Sequence, residues 1–482
     1  MPADDSPTGL SQPLYLCVAD ELGQLIAQGQ LAAGERLPSV RELSQRRGLS
    51  PTTALAALRA LEQRGWVEAR PQSGYYVRPK PQRLAEPATS RPPSAARPVT
   101  VGSIAARLLA ASNEPGIIGF GAAIPEADWY PVATLQRLAS QAARRHRLLI
   151  GEYSPFFGLP VLRHQIARRY AELGIAVDDD EVVITNGCME AINLALRTVA
   201  APGAVIAVES PTYYGLLQLI EAQGMQALEI PTHARDGLSV EALAAALTGP
   251  QGAQIRACVV TPAFCNPIGA LMPEAARQAL VALCRQHRIA LIEDDVYGEL
   301  DFAGQRPLPA RYWDRSGNVL LCGSFSKSLA PGARIGWLLA GRHRDAVRMR
   351  KFTTSAGTAL VYQHALSAYL ETQAYPRHLV RLRRLCATNV ARYIEAIERY
   401  FPAGTRVTRP SGGFVVWVEL PRGTDTLALY ERALFRRINF APGPLFSASG
   451  RYRNCLRLNA GRQWTPDVDG ALQALGRLVE AG

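Results

Sequence analysis

Lysine is almost absent from this chain. Of 53 lysines plus arginines only Lys80, Lys327 and Lys351 are lysines, so cationic surface is built from arginine and a lysine is an unusual choice at any position. No run approaches the ~20 apolar residues that a membrane span needs. The start, Met1-Pro2-Ala3-Asp4-Asp5, lacks the basic and apolar regions of a secretory leader, and a cytoplasmic location is expected. The eight cysteines (17, 188, 258, 265, 284, 322, 386 and 455) form no close pairs, and no histidines stand at ligand spacing. Neither a disulfide framework nor a metal site is indicated. Gly119-Phe120-Gly121 lacks the strand, helix and acidic residue of a dinucleotide fingerprint and is set aside.

What is present is a globular composition. The 482 residues, 48% hydrophobic and 20% charged, leave room for two or three domains with sizeable cores. A net charge of +12 permits an acidic partner such as DNA without demanding one.

One of the three lysines stands out. Lys327 follows the apolar run Val319-Leu320-Leu321-Cys322, lies between Ser324, Ser326 and Ser328, and has Arg334 seven positions on. A lysine that bonds covalently to an aldehyde cofactor needs a desolvated amine that gives up its proton easily. A phosphate monoester needs hydroxyl donors and a guanidinium fork. The stretch supplies both, and pyridoxal 5'-phosphate (PLP) meets that description, with Lys327 as its anchor and Ser324, Ser326 and Arg334 at its phosphate.

Residues 11–79 read as a separate module. Helical spacing of Leu14, Leu16, Val18, Leu22, Leu25 and Ile26 ends at Gly29. Ser39 and Glu42 form a capping box for a second helix that runs to Gly48. Ser50 and Pro51 start a third that runs to about Arg64. Two short strands, residues 66–70 and 75–78, flank Pro71-Gln72-Ser73-Gly74. Three helices and a hairpin fit a winged helix-turn-helix, and by pattern alone fit another small interaction domain equally well. From 80 to 100 the chain is rich in proline, serine and alanine with few large apolar residues, so a free tether is expected, reaching at most ~70 Å when extended.

Beyond residue 101, near-continuous apolar runs at 182–185, 204–208, 257–261, 289–292 and 319–322 alternate with helical stretches. Such runs belong to buried parallel strands, whose C-terminal ends carry ligand sites. Thr185-Asn186-Gly187-Cys188-Met189 is a glycine turn into a helix, so the N–H groups of Cys188 and Met189 offer a phosphate cradle.

Two resemblances extend these readings. Residues 31–43, Leu-Ala-Ala-Gly-Glu-Arg-Leu-Pro-Ser-Val-Arg-Glu-Leu, are similar to the signature of the GntR family of bacterial regulators. That resemblance points to Arg41, Thr52, Thr53 and Gly74 as DNA contacts, while Arg46, Arg47, Arg59 and Arg70 suit phosphate contacts. Pro51 stands where family members often carry arginine, and Leu55 where they sometimes do, which thins base readout by the third helix. The stretch around Lys327, with Asn266-Pro267-Ile268-Gly269 and Asp294-Asp295-Val296-Tyr297, resembles the class I/II aminotransferases of fold type I. By that resemblance Asp294 pairs with the pyridine nitrogen, Asn266 and Tyr297 bond the phenolic oxygen, and Tyr213 stacks on the ring. Tyr153, in a segment like the family's Tyr-x-x-x-x-Gly-x-x-x-Leu-Arg, reaches the phosphate of a neighbouring subunit, and Arg457 grips a substrate carboxylate. Residues 101 to about 125 and 346–482 form the smaller subdomain.

Together these features resemble the MocR subfamily. Its architecture implies an α/β PLP-dependent transferase fold behind a winged helix, boundaries at 11–79, 80–100 and 101–482, and a head-to-tail homodimer with each DNA-binding module over the partner's large domain. It also implies transcription control through an amine or amino-acid effector. Two other functions fit the residues: a working aminotransferase whose front module regulates its own gene, and a scaffold that holds no cofactor.

Overall fold

In the computed structural model the described residues are 13–63, 65–70, 73–78, 83–100, 102, 105, 106, 108, 110, 114–146 and 151–482. The expected helix end at Arg64, Pro71 and Gln72 of the expected wing, residue 79 at the end of that module, and residues 80–82 of the expected tether lie outside them. The chain divides into two units, Met1–Arg83 and Leu84–Gly482.

The first unit contains α1 (Leu14–Ala27), α2 (Val40–Arg47), α3 (Pro51–Gln63), β1 (Val67–Arg70) and β2 (Gly74–Val77). The capping box forms reciprocally: the Glu42 N–H donates to Ser39 Oγ at 3.2 Å and the Ser39 N–H to the Glu42 carboxylate at 2.8 Å. Gly48 closes α2 at φ 62°, a left-handed backbone that glycine adopts without a side-chain clash. At the head of α3 the Thr53 N–H donates to Ser50 Oγ at 3.1 Å. Val18 and Leu22 of α1, Leu43 of α2 and Leu58 and Leu61 of α3 share one core with Val67 and Val77, which face each other across the antiparallel β1–β2 pair.

The second unit is built on an eight-stranded sheet. Its strands are β4 (Val182–Thr185), β5 (Val205–Ser210), β6 (Gln226–His233), β7 (Gly237–Leu238), β8 (Ile255–Val260), β9 (Ala290–Asp294), β10 (Val319–Ser324) and β11 (Gly336–Leu339), after a short β3 (Ile118–Gly119) outside it. They lie in the order β4-β11-β10-β9-β8-β5-β6-β7. The pairs from β10 through β9, β8 and β5 to β6 are parallel, and β11 runs antiparallel between β10 and β4. Successive residues bury on opposite faces: Ala257 and Val259 of β8 join one core, Cys258 and Val260 another. Both faces are therefore dry, which explains apolar runs without alternation.

The smaller subdomain carries a four-stranded sheet of β12 (Arg406–Val407), β13 (Val415–Glu419), β16 (Cys455–Asn459) and β15 (Ala441–Pro442), in that order. A further strand, β14 (Ile438–Asn439), pairs in parallel with β3 and ties residues 118–119 to this subdomain, as expected. Among the described residues no helix is long and apolar enough to cross a membrane.

The tether expectation is corrected from residue 84 on. The Arg97 N–H and C=O both bond to Ala227, at 2.9 Å each, and the Ser90 N–H donates to Thr232 O at 3.1 Å while Ser90 Oγ accepts the Thr232 N–H at 2.8 Å. At the other end the Val407 N–H donates to Ala85 O at 3.0 Å, and Val99 is 3% exposed within the main core. Large apolar side chains are few here, as the composition indicates. The segment is held instead by its backbone, satisfied along strand edges, for which extended, proline-rich chain is already shaped.

Candidate functional site

A cavity of about 260 Å³ opens behind the C-terminal ends of the parallel strands. Its lining includes Cys188, Met189, Tyr213, Asn266, Asp294, Tyr297, Ser326, Lys327, Arg334 and Arg457, residues that five separate strand ends and the subdomain sheet deliver to one place. Lys327 follows β10, and its Nζ donates to the Ala123 carbonyl at 2.7 Å. Burial, then the nearby Arg457 guanidinium, pulls the amine down to about 8 from its ordinary 10.5, against the opposing pull of Asp294. Asp294 ends β9, opposite Cys322 of β10. Burial lifts its carboxyl to about 6, although the Cys188 thiol at 3.2 Å and the Val296 N–H at 3.3 Å both donate to its Oδ1.

A second cluster forms around Gly187, which N-caps the helix Cys188–Val199 at φ 84° with no side chain capping it. The helix therefore presents its first N–H groups and dipole to the cavity. Arg334, itself left-handed at φ 55°, places Nη2 3.1 Å from the Asn186 carbonyl and Nη1 3.4 Å from Ser326 Oγ. A Cβ at Gly187 would sit 2.4 Å from Arg334 Nη2, and one at Gly336 would sit 2.6 Å from the Gly187 carbonyl carbon. Both glycines are demanded by this approach.

Arg457, on β16, is fully buried. One nitrogen, Nη2, donates to Gly121 O at 2.6 Å, while Nε and Nη1 have no hydrogen-bond partner, and among the described residues no carboxylate pairs with the guanidinium. Asn266 Oδ1 is likewise buried without a partner. Orphaned donors and acceptors are costly, and here they line a cavity. Burial pushes the Tyr213 and Tyr297 hydroxyls well up, so both stay protonated.

Three expected residues lie outside the cavity lining, the N-capping Gly187 being one of them. Ser324 is buried outside the cavity wall, and its hydroxyl bonds to Ser326 Oγ at 2.7 Å and to Ile335 O at 3.1 Å, so it braces Ser326. Tyr153 is 88% exposed, away from its own chain's cavity. Sequence reasoning missed the carbonyls of Ala123 and Gly121 and the thiol of Cys188 as a partner of Asp294. Backbone acceptors carry no sequence signal.

In the first unit Arg41 and Thr52 are exposed on α2 and α3, and Arg59 is exposed further along α3. The Thr53 hydroxyl bonds to Ser50 Oγ at 2.7 Å. Gly74 opens β2 at φ 105°, and a Cβ there would meet Arg36 Nε at 3.4 Å, which puts an unanticipated cation beside the wing. Arg47 pairs with Glu21 and Arg70 with Glu68, so these two are partly neutralised, whereas Arg46 stays exposed.

Residues 14–77 match the family described as bacterial regulatory proteins, gntR family, and residues 116–475 match aminotransferase class I and II. The chain is 37% identical over 465 residues to the uncharacterized HTH-type transcriptional regulator YjiR of Escherichia coli K12, covering 96% of this chain and 98% of that protein. It is 28% identical over 437 residues to the probable rhizopine catabolism regulatory protein MocR of Rhizobium meliloti, covering 89% and 86%. The chain belongs to the MocR subfamily of GntR-type regulators. Its second unit is similar to the solved α-aminoadipate aminotransferase LysN from Thermus thermophilus, complexed with N-(5'-phosphopyridoxyl)-L-leucine. The TM-score is 0.72 at 28% identity, over 78% of this chain and 94% of that one. A MocR-type chain thus joins a GntR helix-turn-helix domain, which implies DNA binding, to a fold type I aminotransferase domain, which implies PLP binding.

Proposed function

We propose that this chain is a PLP-dependent transcriptional regulator whose aminotransferase-like unit senses an amino compound bearing a carboxylate. The observation that carries the reading is the convergence of a lysine that gives up its proton more easily than usual, a buried carboxyl and an arginine with two unpartnered nitrogens in one cavity. The residues fit the cofactor. Ser326, Arg334 and the N–H groups of Cys188 and Met189 would hold the phosphate, Asp294 would hold a proton against the ring nitrogen, and Asn266 and Tyr297 would bond the ring oxygen. When bound, PLP supplies an aldehyde that condenses with amines and a ring that accepts electron density. Lys327 supplies the amine and afterwards carries protons at Nζ. Tyr213 packs against the ring, and Arg457 takes the effector's carboxylate on Nε and Nη1.

A homodimer fits the exposed Tyr153 and the aromatic pair Phe156 and Phe352, whose ring centroids stand 4.9 Å apart and which are 41% and 46% exposed. A partner subunit would cover them and receive Tyr153 at its phosphate site. DNA recognition by Arg41, Thr52, Thr53, Arg59 and Gly74 places the protein with its promoter in the cytoplasm.

Gel-shift titration of DNA from upstream of the chain's own gene tests the regulator. Arg41→Ala should weaken binding by about 1–3 kcal/mol and lower the salt slope by about 1. Unchanged affinity and slope would remove Arg41 from the interface. Attachment of PLP to the cofactor-free chain should quicken about tenfold per pH unit below about 8 and level off above it, as the Lys327 amine becomes neutral. An inflection near 10.5, the ordinary value, would contradict this. Gly187→Ala should weaken PLP binding at least about tenfold by pushing Arg334 from the phosphate site, with stability lowered by only about 1–2 kcal/mol. Equilibrium dialysis and thermal melts would separate the two effects.

A second reading, a working aminotransferase, is favoured by the presence of Lys327, Asp294 and Tyr297 in the same cavity. Stoichiometric release of a keto acid from an added amino acid marks the enzyme; colour change without release marks the sensor.

A further inference from the structure

A larger groove, of about 1110 Å³, lies in the second unit apart from the lysine cavity. Residues 87–91, part of the strap that the backbone-anchored segment from residue 84 to 100 forms, make one side of it, and residues 450–455 with β13 form the other. Five arginines line it, Arg91, Arg406, Arg422, Arg451 and Arg453, against a single acid, Glu419. All five are exposed. Arg453 pairs with Asp425, and Arg406 lies 3.9 Å from Glu419. Arg91, Arg422 and Arg451 make no ion pair among the described residues. Across the whole chain basic residues exceed acidic ones only modestly, 53 against 41, so five against one around a single concavity is a local concentration. Guanidinium groups gathered this way repel one another unless an anion joins them.

The shape selects the anion. The strap is fixed on both sides of the groove, through Ser90 on Thr232 and through Ala85 on Val407. A DNA duplex needs a long open track, whereas a groove of this volume walled on one side by a fixed strap suits a small molecule. We infer that this groove binds a compact polyanion, a small molecule carrying two or more phosphate groups. Pro87, Pro211 and Ile268 give it an apolar wall for whatever the phosphates are attached to.

The site would communicate with the lysine cavity through two shared loops. Pro211 and Ile268 face the groove, while Tyr213 and Asn266, two residues from each, face the cavity. Ser210, at the head of the first loop, hydrogen-bonds Tyr452 of the groove at 2.7 Å and takes its backbone partner, Thr232 Oγ1, from the residue that anchors Ser90. An anion in the groove would therefore alter affinity at the cavity, and by linkage the converse.

The probe is sodium tripolyphosphate, titrated calorimetrically into the full chain at low ionic strength. The natural chain should bind it, and Arg422→Gln with Arg451→Gln should weaken binding about 100-fold, about tenfold for each charge-assisted contact removed. Both side chains are exposed, so the fold should tolerate the changes. Arg334→Gln, which removes the guanidinium of the other phosphate site, should leave binding within about twofold. The inference fails if tripolyphosphate does not bind, if the double variant binds as tightly as the natural chain, or if Arg334→Gln is the change that abolishes binding. It also fails if the double variant weakens duplex DNA while tripolyphosphate has no effect, since the groove would then be a track for DNA.

Discussion

Lys327→Ala is expected to give a folded chain that no longer holds PLP through dialysis. The amine is the covalent anchor in this account, so affinity should fall at least about 100-fold, and the absorbance of the bound cofactor and its borohydride-fixed adduct should vanish together. Stability should not suffer. Burial and the Arg457 and Arg334 charges already disfavour the ammonium, and its hydrogen bond is to one backbone carbonyl, Ala123 O at 2.7 Å. Removing a buried cation that is disfavoured where it sits costs little and can stabilise. An unchanged or slightly raised melting temperature, together with a colourless protein, is the expected pair of results. Retained colour would move the anchor elsewhere, and Lys351 is not a substitute, since its Nζ is already bound to Glu190 at 2.8 Å and Thr358 Oγ1 at 3.0 Å.

Arg457→Met should separate ligand sensing from stability even more sharply. The guanidinium is fully buried, holds one carbonyl and leaves two nitrogens unpaired. Burial therefore lowers its affinity for its own proton, and keeping it charged destabilises the cofactor-free chain. Methionine fills a similar volume without that penalty, so thermal stability should hold or rise by about 1–2 kcal/mol. The response to an amino acid should meanwhile drop by about 3–5 kcal/mol, since a bidentate carboxylate contact in a dry site is lost. Titrations of the visible spectrum with amino acids and with the matching decarboxylated amines would read this directly. The natural chain should prefer the amino acid and the variant should not. A natural chain indifferent to the carboxylate would assign Arg457 a structural role.

Much of this site was legible because its parts are side chains at strand ends. The runs at 182–185, 257–261, 289–292 and 319–322 fall on β4, β8, β9 and β10, and Asn266, Asp294 and Lys327 follow the last three by position. The capping box at Ser39 and Glu42 was legible for the same reason, since a local backbone requirement selects particular side chains. Strand β6 was missed because Glu229 and Pro231 interrupt its apolar pattern. Glu229 is nonetheless buried and accepts the Ser210 hydroxyl at 2.9 Å, a partner 19 residues away in sequence. The strap was misjudged for a related reason: its attachment runs through the main chain of Ser90 and Arg97, which composition does not encode. The Gly121 carbonyl that holds Arg457 belongs to the glycine segment set aside for lacking a dinucleotide fingerprint. That segment is no fingerprint, and its use here is to supply a backbone acceptor.

The most direct test is one binding titration. The full-length chain, loaded with PLP, is titrated against a duplex from upstream of its own gene, with and without a panel of amino acids, beside Lys327→Ala. The account predicts that at least one amino acid changes the affinity or the footprint of the natural chain and that Lys327→Ala binds the duplex without responding. Identical DNA binding by both proteins under every condition would contradict it.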